Sequence, residues 1–136
     1  MGRAAMAITV LVVEDESLIR TLVADYLSDS GFDVHEAESG DEALDYLKTG
    51  AAVDVLFTDI ELPGSINGVR LAECARAMRP ELPVVYASGG TRAGDLRAPV
   101  PRSRFLPKPY DPADVCTLLA KVAAGGHGRA HAPTGS

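Results

Sequence analysis

At 136 residues the chain is long enough for one domain with a sizeable core and too short for two. Hydrophobic residues make up 46% and charged residues 24%, the balance of an ordinary globular protein rather than a disordered or fibrous one. A net charge of −6 and a pI near 4.9 argue against nucleic acid or an anionic membrane as partner. At the N-terminus, Arg3 precedes A-A-M-A-I-T-V-L-V-V, an order that imitates a secretory leader. No small-residue cleavage site follows, because the run passes straight into Glu14-Asp15-Glu16. Its β-branched end, Ile8 to Val13, reads as a buried strand, so a cytoplasmic chain without a membrane segment is expected, residues 1–7 being an extension.

Leu18, Ile19, Leu22, Val23, Tyr26 and Leu27 then recur at helical spacing, and Gly31 stands where a C-terminal cap belongs. Phe32–Ala37 reads as a second strand. Ser39-Gly40-Asp41-Glu42 has the form of a capping box and opens a helix that stops near Gly50. Val53–Thr58 is the third strand, Asn67-Gly68 begins a third helix that Pro80 ends, and Pro83–Ala87 is the fourth strand. Between Gly90 and Arg104, Gly94, Pro99 and Pro101 interrupt any helix, so the fourth helix is expected to be shortened or disordered. From Thr91 to Lys108 the charge is basic: Arg92, Arg97, Arg102, Arg104 and Lys108 face only Asp95, either a solvated stretch or a docking surface for an acidic partner. A fifth strand lies around Phe105-Leu106. The last helix has Asp111 as N-cap and Pro112 at its first position, with Val115, Leu118, Leu119 and Val122 on one face. Beyond Ala124 the run G-G-H-G-R-A-H-A-P-T-G-S cannot bury enough to order itself, so a domain over 8–124 with a disordered tail over 125–136 is expected. The apolar runs are nearly continuous, as in strands covered on both faces, and strand alternates with helix throughout. This predicts an α/β fold on a doubly wound parallel sheet.

Cys74 and Cys116 show no C-x-x-C spacing and lie inside helical patterns, the reading of two buried structural thiols in a reducing compartment. His35 falls in a strand, and His127 and His131 in the tail, without the paired spacing of a histidine metal site.

Ligands of open α/β sheets bind beyond the carboxyl ends of the strands. Here the first strand ends at Glu14-Asp15, the third at Asp59, the fourth at Ser88 and the fifth at Lys108. Three carboxylates gathered at one edge resist ionising together, and a divalent cation removes that penalty. Hard oxygen ligands with water suit Mg2+, and such sites usually also hold a phosphoryl group. Lys108 would offer that group a point charge and Ser88 a hydroxyl donor.

The segments L-V-V-E-D-E (Leu11–Glu16), F-T-D-I-E-L-P-G (Phe57–Gly64), V-V-Y-A-S-G (Val84–Gly89) and F-L-P-K-P-Y (Phe105–Tyr110) follow one another within Thr9 to Ala123. In this order they resemble the receiver domain of two-component response regulators, of the stand-alone CheY-like type. The resemblance implies a flavodoxin-like five-stranded sheet of order 2-1-3-4-5. It makes Asp59 the phosphoacceptor, taking the group from a sensor histidine kinase, a histidine phosphotransfer protein or a small acyl phosphate. It places Mg2+, with Mn2+ as the alternative ion, on Asp15, Asp59 and the backbone carbonyl of Glu61, and on Glu14 through water. Ser88, Gly89 and Lys108 would bind the phosphoryl group, and Ser88 and Phe105 would move inward as a switch. Output would pass through protein contacts or onward phosphoryl relay, from a monomer or weak dimer, with slow self-dephosphorylation rather than enzymatic turnover.

The sequence departs from the family pattern in two places. Gly64-Ser65-Ile66 separates Pro63 from Asn67-Gly68 by one residue more than usual, which predicts a bulged loop with the site retained. The broken fourth helix affects a face through which receivers usually dimerise or dock. Because no further module follows Ala124, a stand-alone receiver is expected. The main alternative is an aspartate-nucleophile phosphatase of the haloacid dehalogenase type, whose second acid two residues on is imitated by Asp59-Ile60-Glu61. Such enzymes carry the nucleophile on an early strand and need a substrate cap, for which there is no spare chain. A flavodoxin-like nucleotide binder would want a Gly-rich loop where Glu14-Asp15-Glu16 stands.

Overall fold

The computed structural model describes residues 7–89 and 99–135, with side chains as far as residue 125. Its elements alternate as read: β1 (Thr9–Val13), α1 (Ser17–Asp29), β2 (Asp33–Ala37), α2 (Gly40–Lys48), β3 (Val55–Asp59), α3 (Gly68–Met78), β4 (Val84–Ser88), β5 (Ser103–Pro107) and α4 (Pro112–Gly135). The helix expected to be short or disordered between β4 and β5, with Arg92, Asp95 and Arg97, lies outside the described residues. The five strands form one parallel sheet of order β2-β1-β3-β4-β5. The reversal of strand order between β1 and β3 therefore sits mid-sheet, where a ligand crevice opens.

Period-two alternation divides the central strands between two cores. Val10 and Val12 of β1, Val55 and Phe57 of β3, and Val85 of β4 pack with Val23, Leu27, Val115 and Leu119 of α1 and α4. Leu11, Val13, Leu56, Val84 and Tyr86 turn the other way, toward Ala43 and Leu47 of α2 and Leu71, Ala72 and Ala75 of α3. Both faces are covered, which is why these strands are continuously apolar.

The helix ends follow their capping chemistry. Gly31 takes φ +102 after α1, and the Phe32 N–H reaches back to the Leu27 carbonyl at 3.0 Å. Ser39 caps α2 by accepting from the Glu42 N–H, and Asn67 caps α3 by accepting from Arg70. Before α4, Asp111 accepts from the Ala113 N–H. The sequence reading ended this last helix at Ala124; its described backbone is helical through Gly135. Extending an existing helix needs no new nucleus, which lets the backbone run past Gly125 and Gly126.

The apolar stripe of α1 is divided by packing: Leu18, Leu22 and Tyr26 are 74%, 59% and 41% exposed, while Val23, Ala24 and Leu27 are buried. The stripe is wider than the arc one helix can press against a sheet. Cys74 and Cys116 are free thiols, as read, but half-buried rather than buried. Among the described residues, no helix is long and apolar enough to cross a membrane.

Candidate functional site

Three central strands and β5 end at one edge, and their terminal side chains converge there. Glu14, only 4% exposed, follows β1; its carbonyl accepts from Arg20 at 2.7 Å and its carboxylate from the Glu16 N–H at 3.1 Å. Asp59 is the last residue of β3 and is 7% exposed. Lys108 follows β5 and is anchored by its N–H to the Ser88 carbonyl at 2.9 Å. Its Nζ then bridges Glu14 Oε1 at 2.9 Å and Asp59 Oδ2 at 3.1 Å. Carboxylate oxygens of Glu14, Asp15 and Asp59 lie within 4.8 Å of one another, Asp15 being the exposed member.

The electrostatics follow from this crowding. Burial is the largest influence on Asp59, with the Glu14 charge second; Lys108 opposes them, and the carboxyl is still pushed up to about 6. Burial pulls Lys108 down, but its hydrogen bonds to Glu14 and Asp59 and their charges outweigh it, so the ammonium is held above the ordinary lysine range. Because Asp59 titrates higher in the folded protein than in the unfolded chain, its contribution to stability is lost as pH rises from about 4 through about 6. Asp59→Asn removes that loss. Urea unfolding is expected to show the variant more stable than the parent at about pH 7.5, by about 1–2 kcal/mol, with the gap closing only below about pH 4; the figure is discounted because water reaches the site. A gap independent of pH would refute the assignment.

Asp59 Oδ1 is buried and accepts no hydrogen bond from the described residues. A buried carboxylate oxygen without a donor is costly, and here it stands beside two further carboxylates. The donor set therefore fits a hard, oxygen-preferring divalent cation. Among the described residues no histidine or cysteine joins this cluster. His35 instead stacks on Tyr46 with ring centroids 3.6 Å apart.

Backbone geometry holds the loop after Asp59. The Gly68 N–H donates to the Ile60 carbonyl at 2.8 Å, and a Cβ at Gly68 would overlap the Asp59 carbonyl. The extra residue forms a bulge pinned to the start of α2. Gly64 takes φ +95, Ser65 donates to the Asp41 carboxylate at 3.2–3.3 Å, and Ile66 lies against Gly40 so closely that a Cβ there would collide with it. Ser88, 1% exposed, places its hydroxyl 2.9 and 2.8 Å from the two carboxylate oxygens of Glu61. Gly89 sits against the Lys108 side chain. Phe105 lies across from Tyr86 and is partly buried against the α2–α3 side core.

Three features escaped the sequence reading. The Glu61 carboxylate engages Ser88. Tyr110, beside Phe57, is pushed up to about 12 by burial first and then by the Glu14 charge, and so stays a neutral phenol. An open apolar groove of about 530 Å³, lined by Ile19, Leu22, Val23, Pro109 and Tyr110, also takes in Gly89 and Lys108 and so adjoins the carboxylates. The Lys-Pro-Tyr triplet was a signal for Tyr110; nothing local signalled the groove.

The model of the response regulator receiver domain matches residues 10–120. The chain is 33% identical over 118 residues to the sensor kinase CckA of Brucella abortus, covering 84% of itself and 12% of that protein. It is 34% identical over 116 residues to the DNA-binding transcriptional regulator NtrC of Klebsiella pneumoniae, covering 82% of itself and 24% of the relative. The chain thus spans a quarter or less of these curated relatives. A response regulator receiver protein from Sinorhizobium medicae WSM419 superposes with a TM-score of 0.81 at 33% identity, over 89% of this chain and 98% of that one. With the strand order, the acidic edge and the bridging lysine in agreement, this chain belongs to the response regulator receiver domain family of two-component signalling.

Proposed function

We propose that Asp59 is the phosphoacceptor of a two-component phosphorelay, charged by a sensor histidine kinase or a histidine phosphotransfer protein. The observation that carries this reading is Asp59 itself: buried, one oxygen held by Lys108, the other without a donor, and Glu14 and Asp15 alongside. Asp15, Asp59 and the Glu61 carbonyl would hold Mg2+ or Mn2+, with Glu14 acting through water. When bound, the ion would neutralise the carboxylates and polarise a phosphoryl oxygen.

The chain's own residues do the rest. Attack requires the ionised Asp59, a form that Lys108 favours. A P–O bond to Asp59 forms as the P–N bond to the donor imidazole breaks, and the Lys108 ammonium offers a charge to the transferring group. Ser88, with Gly89 beside it, then turns to the phosphoryl oxygens, and Phe105 moves inward with it, altering the face used for protein contacts or onward transfer. The groove of Ile19, Leu22 and Tyr110 offers the donor protein an apolar seat next to Asp59. Free thiols suit a cytoplasmic location, and a monomer or weak dimer is the assembly that goes with this reading.

Incubation with acetyl phosphate and Mg2+ is expected to add one phosphoryl group by mass, and Asp59→Asn or chelation to abolish the adduct. Rapid multiple-turnover phosphate release without an adduct would favour a haloacid-dehalogenase-type phosphatase instead.

A further inference from the structure

The Ser88 hydroxyl is already engaged before any phosphoryl group arrives. Its oxygen lies 2.8 and 2.9 Å from the carboxylate oxygens of Glu61, the charge-assisted geometry of a strong hydrogen bond. A serine hydroxyl has one proton to donate. It cannot give that proton to Glu61 and to a phosphoryl oxygen on Asp59 at once, and at 1% exposure Ser88 has little access to water as a substitute partner. Glu61 itself is exposed and stands in the loop just after β3, outside both cores.

We propose that the Glu61 side chain is a positioning residue that latches Ser88 in the resting arrangement, so that a phosphoryl group on Asp59 must take the hydroxyl away from it. This rests on the phosphoacceptor reading and deepens it. The resting and phosphorylated arrangements differ in which anion Ser88 serves, and Glu61 weights the equilibrium toward rest. The backbone carbonyl of Glu61 is unaffected by changes to its side chain, so the latch and the cation ligand are separable on one residue.

The test is a double-mutant cycle read by NMR titration with beryllofluoride and Mg2+, using Glu61→Ala, Ser88→Ala and the pair. Glu61→Ala is expected to bind beryllofluoride about fivefold to tenfold more tightly than the parent. In the Ser88→Ala background the same change is expected to do little, because there is no hydroxyl to release. If Glu61→Ala tightens binding equally in both backgrounds, Glu61 acts only by repelling the anion and the latch is refuted. A second readout needs no ligand: three-bond couplings of Ser88 in the metal-free protein should report one side-chain rotamer in the parent and a shifted rotamer population in Glu61→Ala. An unchanged single rotamer would also overturn the proposal. Failure of the parent to bind beryllofluoride at all would sink the phosphoacceptor reading, and the latch with it, a result distinct from either of the others.

Discussion

Lys108→Met is expected to cost about 2–3 kcal/mol of stability near neutral pH, a fall in Tm of roughly 10 °C, and most of that loss should disappear by about pH 5. Lys108 is the cation that bridges Glu14 and Asp59, both nearly excluded from solvent. Without it two like charges face each other across a poorly solvated edge. The full cost of breaking a buried ion pair is about 3–5 kcal/mol; the lower figure reflects the partial exposure of the lysine. Asp59 already titrates near 6 with Lys108 present, and losing the cation moves it higher still. A carboxyl whose pKa is raised on folding stabilises at low pH and destabilises above its folded value, so acid should rescue the variant. Mg2+ should rescue it as well, by supplying the missing positive charge. Thermal unfolding at about pH 5 and about pH 7.5, with and without Mg2+, decides the matter. A deficit equal at both pH values would mean that Lys108 stabilises by packing, not by charge.

Gly68→Ala is expected to destabilise by about 3 kcal/mol and to slow the phosphorylation proposed for Asp59 at the same time. The reason is steric rather than conformational, since the new methyl group would occupy the position of the Asp59 carbonyl and crowd the Ile60 backbone. Neither neighbour is a side-chain end that can swing aside. Relief requires moving α3 or the chain between Asp59 and Glu61, and movement of that chain displaces Asp59 and the Glu61 carbonyl. Urea unfolding paired with the acetyl phosphate assay measures both effects. A loss below about 1 kcal/mol with normal phosphorylation would show that this loop yields freely, and that the close approach of α3 does not fix the site.

Much of this was written locally. The β-branched runs fixed β1, β3 and β4 because a strand buried on both faces has to be apolar throughout. Ser39, Asn67 and Asp111 marked the starts of three helices because their side chains satisfy backbone N–H groups that the helix leaves open. Glu14, Asp15, Asp59, Ser88 and Lys108 could be read as one site because parallel strands bring all their carboxyl ends to the same edge.

What remained illegible depends on distances between segments. Leu18 and Leu22 have the same local pattern as Val23 and Leu27, and only the packing angle of α1 decides which pair meets the sheet and which is left exposed. Nothing near Ser65 or Ile66 announces that their partners are Asp41 and Gly40, on another helix. The sequence by itself determined which functional groups stand at the edge of the sheet, because strand polarity and side-chain chemistry are local properties. Only the tertiary structure decided how those groups are paired at rest, with Lys108 shared between Glu14 and Asp59 and Ser88 held by Glu61. Such pairing turns on ångström separations between residues as far apart in the chain as Glu14 and Lys108, and these are set by packing.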